Sequence, residues 1–307
     1  MNHLKYLKQE GHFFTIDPRN GPVLTIKPGE TVVVETMDNV NGQIKTERDL
    51  ATNINPDELN PLSGPIYVEG SEKGDTLAIH IDNIEIASDQ GWTGFVPSWI
   101  YWDTRDLKEP VPALTKICRI KDNLIYFPLK DGRILQIPAK PMIGTIGTAP
   151  EREGLSALTL GRYGGNLDSP DVCAGSTLYL PVFVKGALLH LGDVHAIQGD
   201  AELNAAPVEV PAKCTLTVSV VKGKSITWPW IETPEYFIAV GASKPLDDAL
   251  KIALKEMILW LNEEHGFNIW DASVLIASVA TVQACGAANP LFSMALKFPK
   301  KYLTKKT

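Results

Sequence analysis

"STLYLPVFVKGALLHLGDVHAIQGDAE", residues 176–202, decides how this chain is read. Two β-rich runs flank Lys185-Gly186, the pattern of strands joined by a tight turn. The second run then crowds Asp193, His195, Asp200 and Glu202 behind the apolar pair Leu188-Leu189. Side chains two residues apart share a face of a strand, so Asp193 and His195 are expected to point the same way. Gly199 permits a bend, after which Asp200 and Glu202 share a face of the next segment. Four ligand-capable side chains then converge. Like charges so close repel, and burying them is costly without something cationic between them. A divalent metal resolves that conflict. Histidine nitrogen with carboxylate oxygen suits zinc or another first-row ion, whereas an all-oxygen set suits calcium. The competing reading is a solvated acidic hairpin whose histidine merely packs. Two features weigh against it: the glycines at 192 and 199, and a second polar cluster close by in "GRYGGNLDSPD", residues 161–171.

The same strand grammar extends outward. "VLTIKPGETVVVETMD" (23–38) breaks at Lys27-Pro28-Gly29, and "GPIYVEGSEKGDTLAIHIDNIEIA" (64–87) at Lys73-Gly74-Asp75. "PAKCTLTVSVVKGKSITWPWIET" (211–233) is a fourth such pair. Short β-rich runs joined by Gly/Pro turns read as a sandwich or barrel, not as βαβ units. Helical spacing appears only late. "PLDDALKIALKEMILWLNEEHGF" (245–267) puts Leu250, Leu254, Met257, Ile258 and Leu261 on one stripe, with Asp247 and Asp248 at its start and Gly266 as a stop. "DASVLIASVATVQACGA" (271–287) reads as a second, well-buried helix. The class is therefore mainly β: a sandwich- or barrel-like core with a smaller α/β portion and C-terminal helices. Residues 1–150 are read as a β-rich N-terminal domain with a loop-rich excursion over about 92–150. Residues 151–307 are read as a β-rich metal-site domain carrying the helices.

Composition narrows the partners. The 307 residues are 44% apolar and 21% charged, ordinary for a soluble globular chain. A net charge of −7 without a basic stripe argues against nucleic acid. No apolar run approaches the roughly 20 residues that span a bilayer, and "MNHLKYLKQEGHFF" lacks the apolar region of a signal peptide. Cys118, Cys173, Cys214 and Cys285 are widely spaced, which suits reduced, buried thiols and a cytoplasmic location.

Residues 164–202, "GGNLDSPDVCAGSTLYLPVFVKGALLHLGDVHAIQGDAE", resemble the signature of the acetamidase/formamidase family, whose members carry GGNxD, then AGSTLYLPVFxxGAL, then GDxHAxQGDGE. The likeness extends more loosely to 64–81 and to "IGTIGTAP" (143–150). Two departures stand out. Ala201 replaces a usual glycine, and "SVATVQACGAANP" (278–290) lacks the aspartate that relatives carry near residue 281, before a "QVVDP" step. The resemblance therefore implies the reaction type more firmly than the substrate.

What it implies is a metal-dependent hydrolase of short aliphatic amides that releases ammonia and a carboxylate. Amides are poor electrophiles, so a metal that polarises the carbonyl and acidifies bound water is apt, and a carboxylate must shuttle the proton to the departing nitrogen. His195 and Asp193 are expected as ligands, with Asp168 from the neighbouring loop. Glu202 or Asp200 is expected as the base, the other serving as a further ligand. Asn166 or Gln198 would hold the substrate amide or the oxyanion, with the backbone N–H groups at Gly164 and Gly165 as an alternative. Zinc is the expected metal, with a second, structural calcium; the partner is a small amide, and a homo-oligomer, dimer or higher, is expected. Trp92, Trp99, Trp102, Trp228 and Trp230 are candidate walls of the pocket or of a subunit interface. Two other readings remain: the same scaffold acting on another small C–N substrate, and a non-enzymatic metal- or ligand-binding β-sandwich. A Cys173 or Ser176 nucleophile lacks the partner pattern such chemistry needs. His3, His12, His80, His190 and His265 read as structural, although His80 and Asp82 share a strand face from which either could reach the site from another sheet.

Overall fold

The computed structural model describes residues 4–8, 12–97, 111–204, 206–287 and 289–303. His3, Trp99 and Trp102 lie outside the described residues, as does the middle of the 92–150 excursion. Among the described residues, two open sheets of nine and eleven strands dominate, beside a small two-stranded pair. Ile66, Leu189 and Leu191 from the larger sheet pack with Val32, Leu77, Ile79 and Leu178 from the smaller in one fully buried cluster. The core thus lies between the sheets. This is a sandwich, and neither sheet closes into a barrel.

Three of the four turns that punctuate the sequence are arches between the sheets; the fourth pair, Ala212–Val221 and Trp230–Glu232, stays in the nine-stranded sheet. Leu24–Ile26 pairs in parallel with Leu62–Val68 in the larger sheet, whereas Glu30–Thr36 pairs with Ala212–Val221 in the smaller. Likewise Leu62–Val68 pairs with Leu189–Ile197, and Thr76–Ile86 pairs with Thr177–Pro181. Each apolar run therefore buries its inner face against its sequence neighbour, while the backbone bonds go to distant segments. Both sheets take strands from either side of residue 150.

Leu189–Ile197 is the strand that matters most. It pairs with Met142–Gly147 along one edge, and with Leu62–Val68 and then Val208–Val210 along the other. All but its last residue is buried, which accounts for its nearly unbroken apolar character. An added Cβ at Gly192 would clash with the Pro61 carbonyl, so the backbones approach closely there. Gly199 meets nothing and is extended (φ −84°). The sharp bend falls instead at Ala201 (φ +69°) and Glu202 (φ +49°).

Helix α1, Leu246–His265, runs from an acidic first turn to a left-handed Gly266 whose N–H bonds to Asn262 O, as its sequence signals. It buries Ala249, Ala253, Met257 and Leu261 against the outer face of the nine-stranded sheet, with Ala239, Leu296 and Phe298. Helix α2 is shorter than expected, Ile269–Val279, and the rest of that stretch forms the strand Thr281–Gly286 at the edge of the sheet. Nor is α2 well buried: Ala272 and Ile276 face inward, but Trp270 is 79% exposed and Val274 69%. Its apolar composition is spread around the helix, and only one narrow stripe meets the sheet.

No helix of the described residues is long and apolar enough to cross a membrane.

Candidate metal centre

Asp168, Asp193 and His195 are fully buried, and their ligand atoms all lie within 4.8 Å of one another. A second group, His195, Glu202 and Glu209, meets the same limit and shares the imidazole. His195 Nε2 is 3.3 Å from Asp193 Oδ1 and 3.4 Å from Glu209 Oε2. Glu202 lies next to Asp168, which links the two groups. Four carboxylates thus surround one ring nitrogen.

The chain holds them there with unusual backbone. Asp168 (φ +45°), Asp193 (φ +57°) and Glu202 (φ +49°) are all left-handed, a conformation that costs a non-glycine residue about 1 kcal/mol or more. Three such residues at one point mark a geometry imposed by the surrounding sheet. Ala201 shares the strain, which explains why glycine is usual at this position. Gly144 completes the cradle. Its carbonyl accepts from Leu167 N (3.0 Å) and Asp168 N (3.2 Å), fixing the turn that carries Asp168. A Cβ there would stand 2.7 Å from Asp168 Oδ1 and 2.8 Å from Asp193 Oδ2.

Each inner residue is anchored from behind. Gln198 Nε2 donates to Asp168 O (2.6 Å) and Cys285 O (3.0 Å), so its Oε1 must face His195 Nδ1, 2.8 Å away. Nδ1 therefore carries a proton, and Nε2 faces the carboxylates, where it can serve as a ligand once deprotonated. Asp193 Oδ2 accepts from Asn60 Nδ2 (3.0 Å) and lies 3.0 Å from Thr145 Oγ1. Asp168 Oδ2 accepts from Asn289 Nδ2 at 2.5 Å. Asn166 bridges the two: with its Nδ2 turned inward it donates to Asp193 Oδ2 (2.8 Å) and reaches Asp168 Oδ1 (3.3 Å). Only a donor fits there, since an oxygen would face two carboxylates. Outer partners of this kind are what hold ligands to a metal in orientation.

Electrostatically the cluster is uncompensated. Among the described residues no lysine or arginine lies within ion-pair distance of the four carboxylates. Both Glu209 oxygens and Glu202 Oε2 are buried with no hydrogen-bond partner. Burial, then the Asp193 charge, pushes Asp168 up to about 6. Burial, then Asp168, raises Glu202 well above the usual carboxylate range, and burial followed by Asp193 does the same to Glu209. Burial alone would lower His195, but the Asp193 carboxylate overcomes it and the imidazole is raised. A divalent cation fits this donor set: one imidazole nitrogen with oxygen ligands, each ionised group otherwise costing several kcal/mol to bury.

Of the residues singled out in sequence, Asp168, Asp193, His195 and Glu202 come together. Asp200 does not. The left-handed turn at Ala201 swings it outward, where it is exposed and accepts from Gln283 Nε2 at 2.6 Å. The amides of Gln198 and Asn166 are fully engaged in holding the imidazole and the carboxylates. His80 stays in the other sheet, exposed and 3.0 Å from Thr177 Oγ1, and Asp82 accepts from Thr217. All four cysteines are free, with burial raising each thiol; Ser176 Oγ donates to Cys173 O (2.8 Å), so neither residue is set up as a nucleophile. Trp230 packs with Trp260 under α1, whereas Trp92 stands next to Glu209. Sequence reading missed Asn60, Thr145, Glu209 and Asn289. Only Glu209 left a signal, a lone acid between valines in "VEV" (208–210).

A sequence profile of the Acetamidase/Formamidase family matches residues 15–160 and 151–288. The crystal structure of an acetamidase from Bacillus halodurans superposes with a TM-score of 0.90 at 34% identity, covering 97% of this chain and 98% of that one. An acetamidase from Yersinia enterocolitica gives 0.92 at 32% identity, covering 99% and 94%. A formamidase from Methylophilus methylotrophus is 26% identical over 257 residues, 65% of this chain and 61% of that enzyme. The chain thus spans about three fifths of the length of that relative. With the matched segments covering most of its residues, the chain belongs to the Acetamidase/Formamidase family.

Proposed function

We propose that this protein hydrolyses short aliphatic amides, releasing ammonia and a carboxylate, at a divalent metal held by Asp168, Asp193 and His195. The observation that carries the reading is the cluster itself: four buried carboxylates gathered around one buried imidazole, with no lysine or arginine within ion-pair distance among the described residues. These three are the ligands rather than Glu209 because each is fixed by an outer partner: Asn289, Asn60 and Gln198 respectively. When bound, the metal, for which zinc best suits the N/O donor set, polarises the amide carbonyl and makes water acidic near neutrality.

The chain's own residues do the rest. Gln198 keeps the proton of His195 on Nδ1. Asn166 and Thr145 hold Asp193 in place beside the imidazole. Glu202, beside Asp168 and with its Oε2 unpartnered, takes the proton of the attacking water and passes it to the departing nitrogen. The formamidase and acetamidase names of the relatives support the same chemistry.

Ammonia release from formamide and acetamide, measured before and after chelation and again after zinc is restored, tests the proposal. His195→Ala should lose metal and turnover together, because His195 supplies the one nitrogen ligand. Turnover that survives complete metal removal refutes the assignment.

A further inference from the structure

Glu209 stands opposite His195 on one side and opposite Trp92 on the other, across three antiparallel strands. Directly opposed residues project from the same face of a sheet. His195, Glu209 and Trp92 therefore form a row leading away from the metal centre. The row borders a cavity of about 140 Å³ lined by Trp92, Glu209, Asp38, Ile44 and Gln90. That is well below the roughly 300–1,000 Å³ of pockets for drug-sized ligands, and it suits a molecule of a few heavy atoms.

Two groups in this row are buried without a hydrogen bond, Glu209 Oε2 having only the His195 imidazole 3.4 Å away. Both Glu209 oxygens (residue 1% exposed) and the indole N–H of Trp92 (2% exposed) make no hydrogen bond. An unmade bond of this kind costs about 1–3 kcal/mol per group, more when the group is charged. Several other polar groups around the cavity are engaged, and the Lys45 side chain also lines it. Asp38 Oδ1 accepts from Val40 N (3.2 Å) and Gly42 N (2.7 Å), Gln90 Nε2 donates to Lys45 O (3.3 Å), and Ser88 Oγ accepts from Gln90 N (3.1 Å). An acceptor and a donor left open beside a carbonyl-polarising centre are the complement of a primary carboxamide, which offers N–H groups and a carbonyl oxygen. Glu209 also lacks the outer partner that each proposed metal ligand has.

We propose that Glu209 accepts the N–H of the substrate amide and that Trp92 donates its indole N–H to the carbonyl oxygen. Together they select unsubstituted amides of a few heavy atoms. This rests on the amide-hydrolase reading of the same site. The test uses the metal-loaded full-length protein, labelled with ¹⁵N-tryptophan, as wild type, Trp92→Phe and Glu209→Gln. Acetamide and N,N-dimethylacetamide, which has no N–H, are the probes. The indole resonance absent from Trp92→Phe should move on titration with acetamide. Wild type should bind acetamide at least about tenfold more tightly than the dimethyl compound, and Glu209→Gln should narrow that ratio about five- to tenfold with metal content unchanged. Trp92→Phe should raise KM for acetamide about 3–10-fold, also with metal retained. Metal loss in Glu209→Gln would make Glu209 a ligand and overturn the proposal, as would a static indole resonance with an unaltered KM in Trp92→Phe. Should wild type turn over no amide, the hydrolase reading falls, and the indole titration still decides whether the cavity takes a carboxamide.

Discussion

Stripping the metal should invert the usual dependence of stability on pH. Asp168 titrates near 6 in the fold against an ordinary value of 3.8, and Glu202, Glu209 and His195 are all raised as well. A group that binds its proton more tightly folded than unfolded stabilises the fold fully below its unfolded value, and that contribution is lost as pH rises through the folded value. For Asp168 alone the shift corresponds to about 3 kcal/mol, of which roughly 1–2 kcal/mol is gained between about pH 8 and about pH 5. The two glutamates add to it in the same direction and outweigh His190, whose burial lowers it to about 4 and which opposes the trend by roughly 2 kcal/mol over the same range. The metal-free protein should therefore melt several degrees higher at about pH 5 than at about pH 8, taking about 2–4 °C per kcal/mol. Zinc at saturating concentration should abolish or reverse the trend, since it binds the deprotonated ligands. Differential scanning calorimetry of chelated and zinc-loaded samples across that range is the assay. A metal-free melting temperature that is flat or rises with pH would refute the claim that these carboxylates are buried together without a cation.

Three further outcomes follow from the same geometry. Gly144→Ala places a methyl among the carboxylate oxygens at 2.7–2.8 Å, and should cost about 1–3 kcal/mol and lower the metal content found by elemental analysis. Ala201→Gly relieves a left-handed alanine at φ +69° and should raise stability by up to about 1 kcal/mol, read as a shift in the denaturation midpoint. Glu202→Gln should keep the metal while kcat for acetamide falls by roughly 10²–10⁴; metal loss in that variant would make Glu202 a ligand.

Local chemistry made the strands, α1 and the heart of the cluster legible. Alternation along "LHLGDVHAI" already aligns Asp193 with His195, and Gly266 ends α1 as expected of a glycine free to turn left-handed. Pairing was not legible. A two-period pattern says which residues face inward, but it does not reveal that Lys185-Gly186 arches from one sheet to the other, because both connections bury the same side chains. The 271–287 stretch misled for a related reason: its apolar residues serve a helix face up to Val279 and then an edge strand. Asp200 and Glu202 parted because the backbone turned at an alanine, where no residue type announces a left-handed bend. Asn60 and Asn289 were invisible, since each reaches Asp193 or Asp168 from more than 120 positions away along the chain.

The interleaving of the two sheets also shapes how the site comes into being. Its parts are drawn from Asn60 near the start, Gly144 and Thr145 midway, and Cys285 and Asn289 close to the end. Long-range pairing of this kind slows folding, because loop closure precedes any reward. A nascent chain halted before residue 285 would carry every carboxylate yet lack the carbonyl and amide that aim them. Metal capture should consequently be a late event in maturation, following closure of the final strands rather than guiding it.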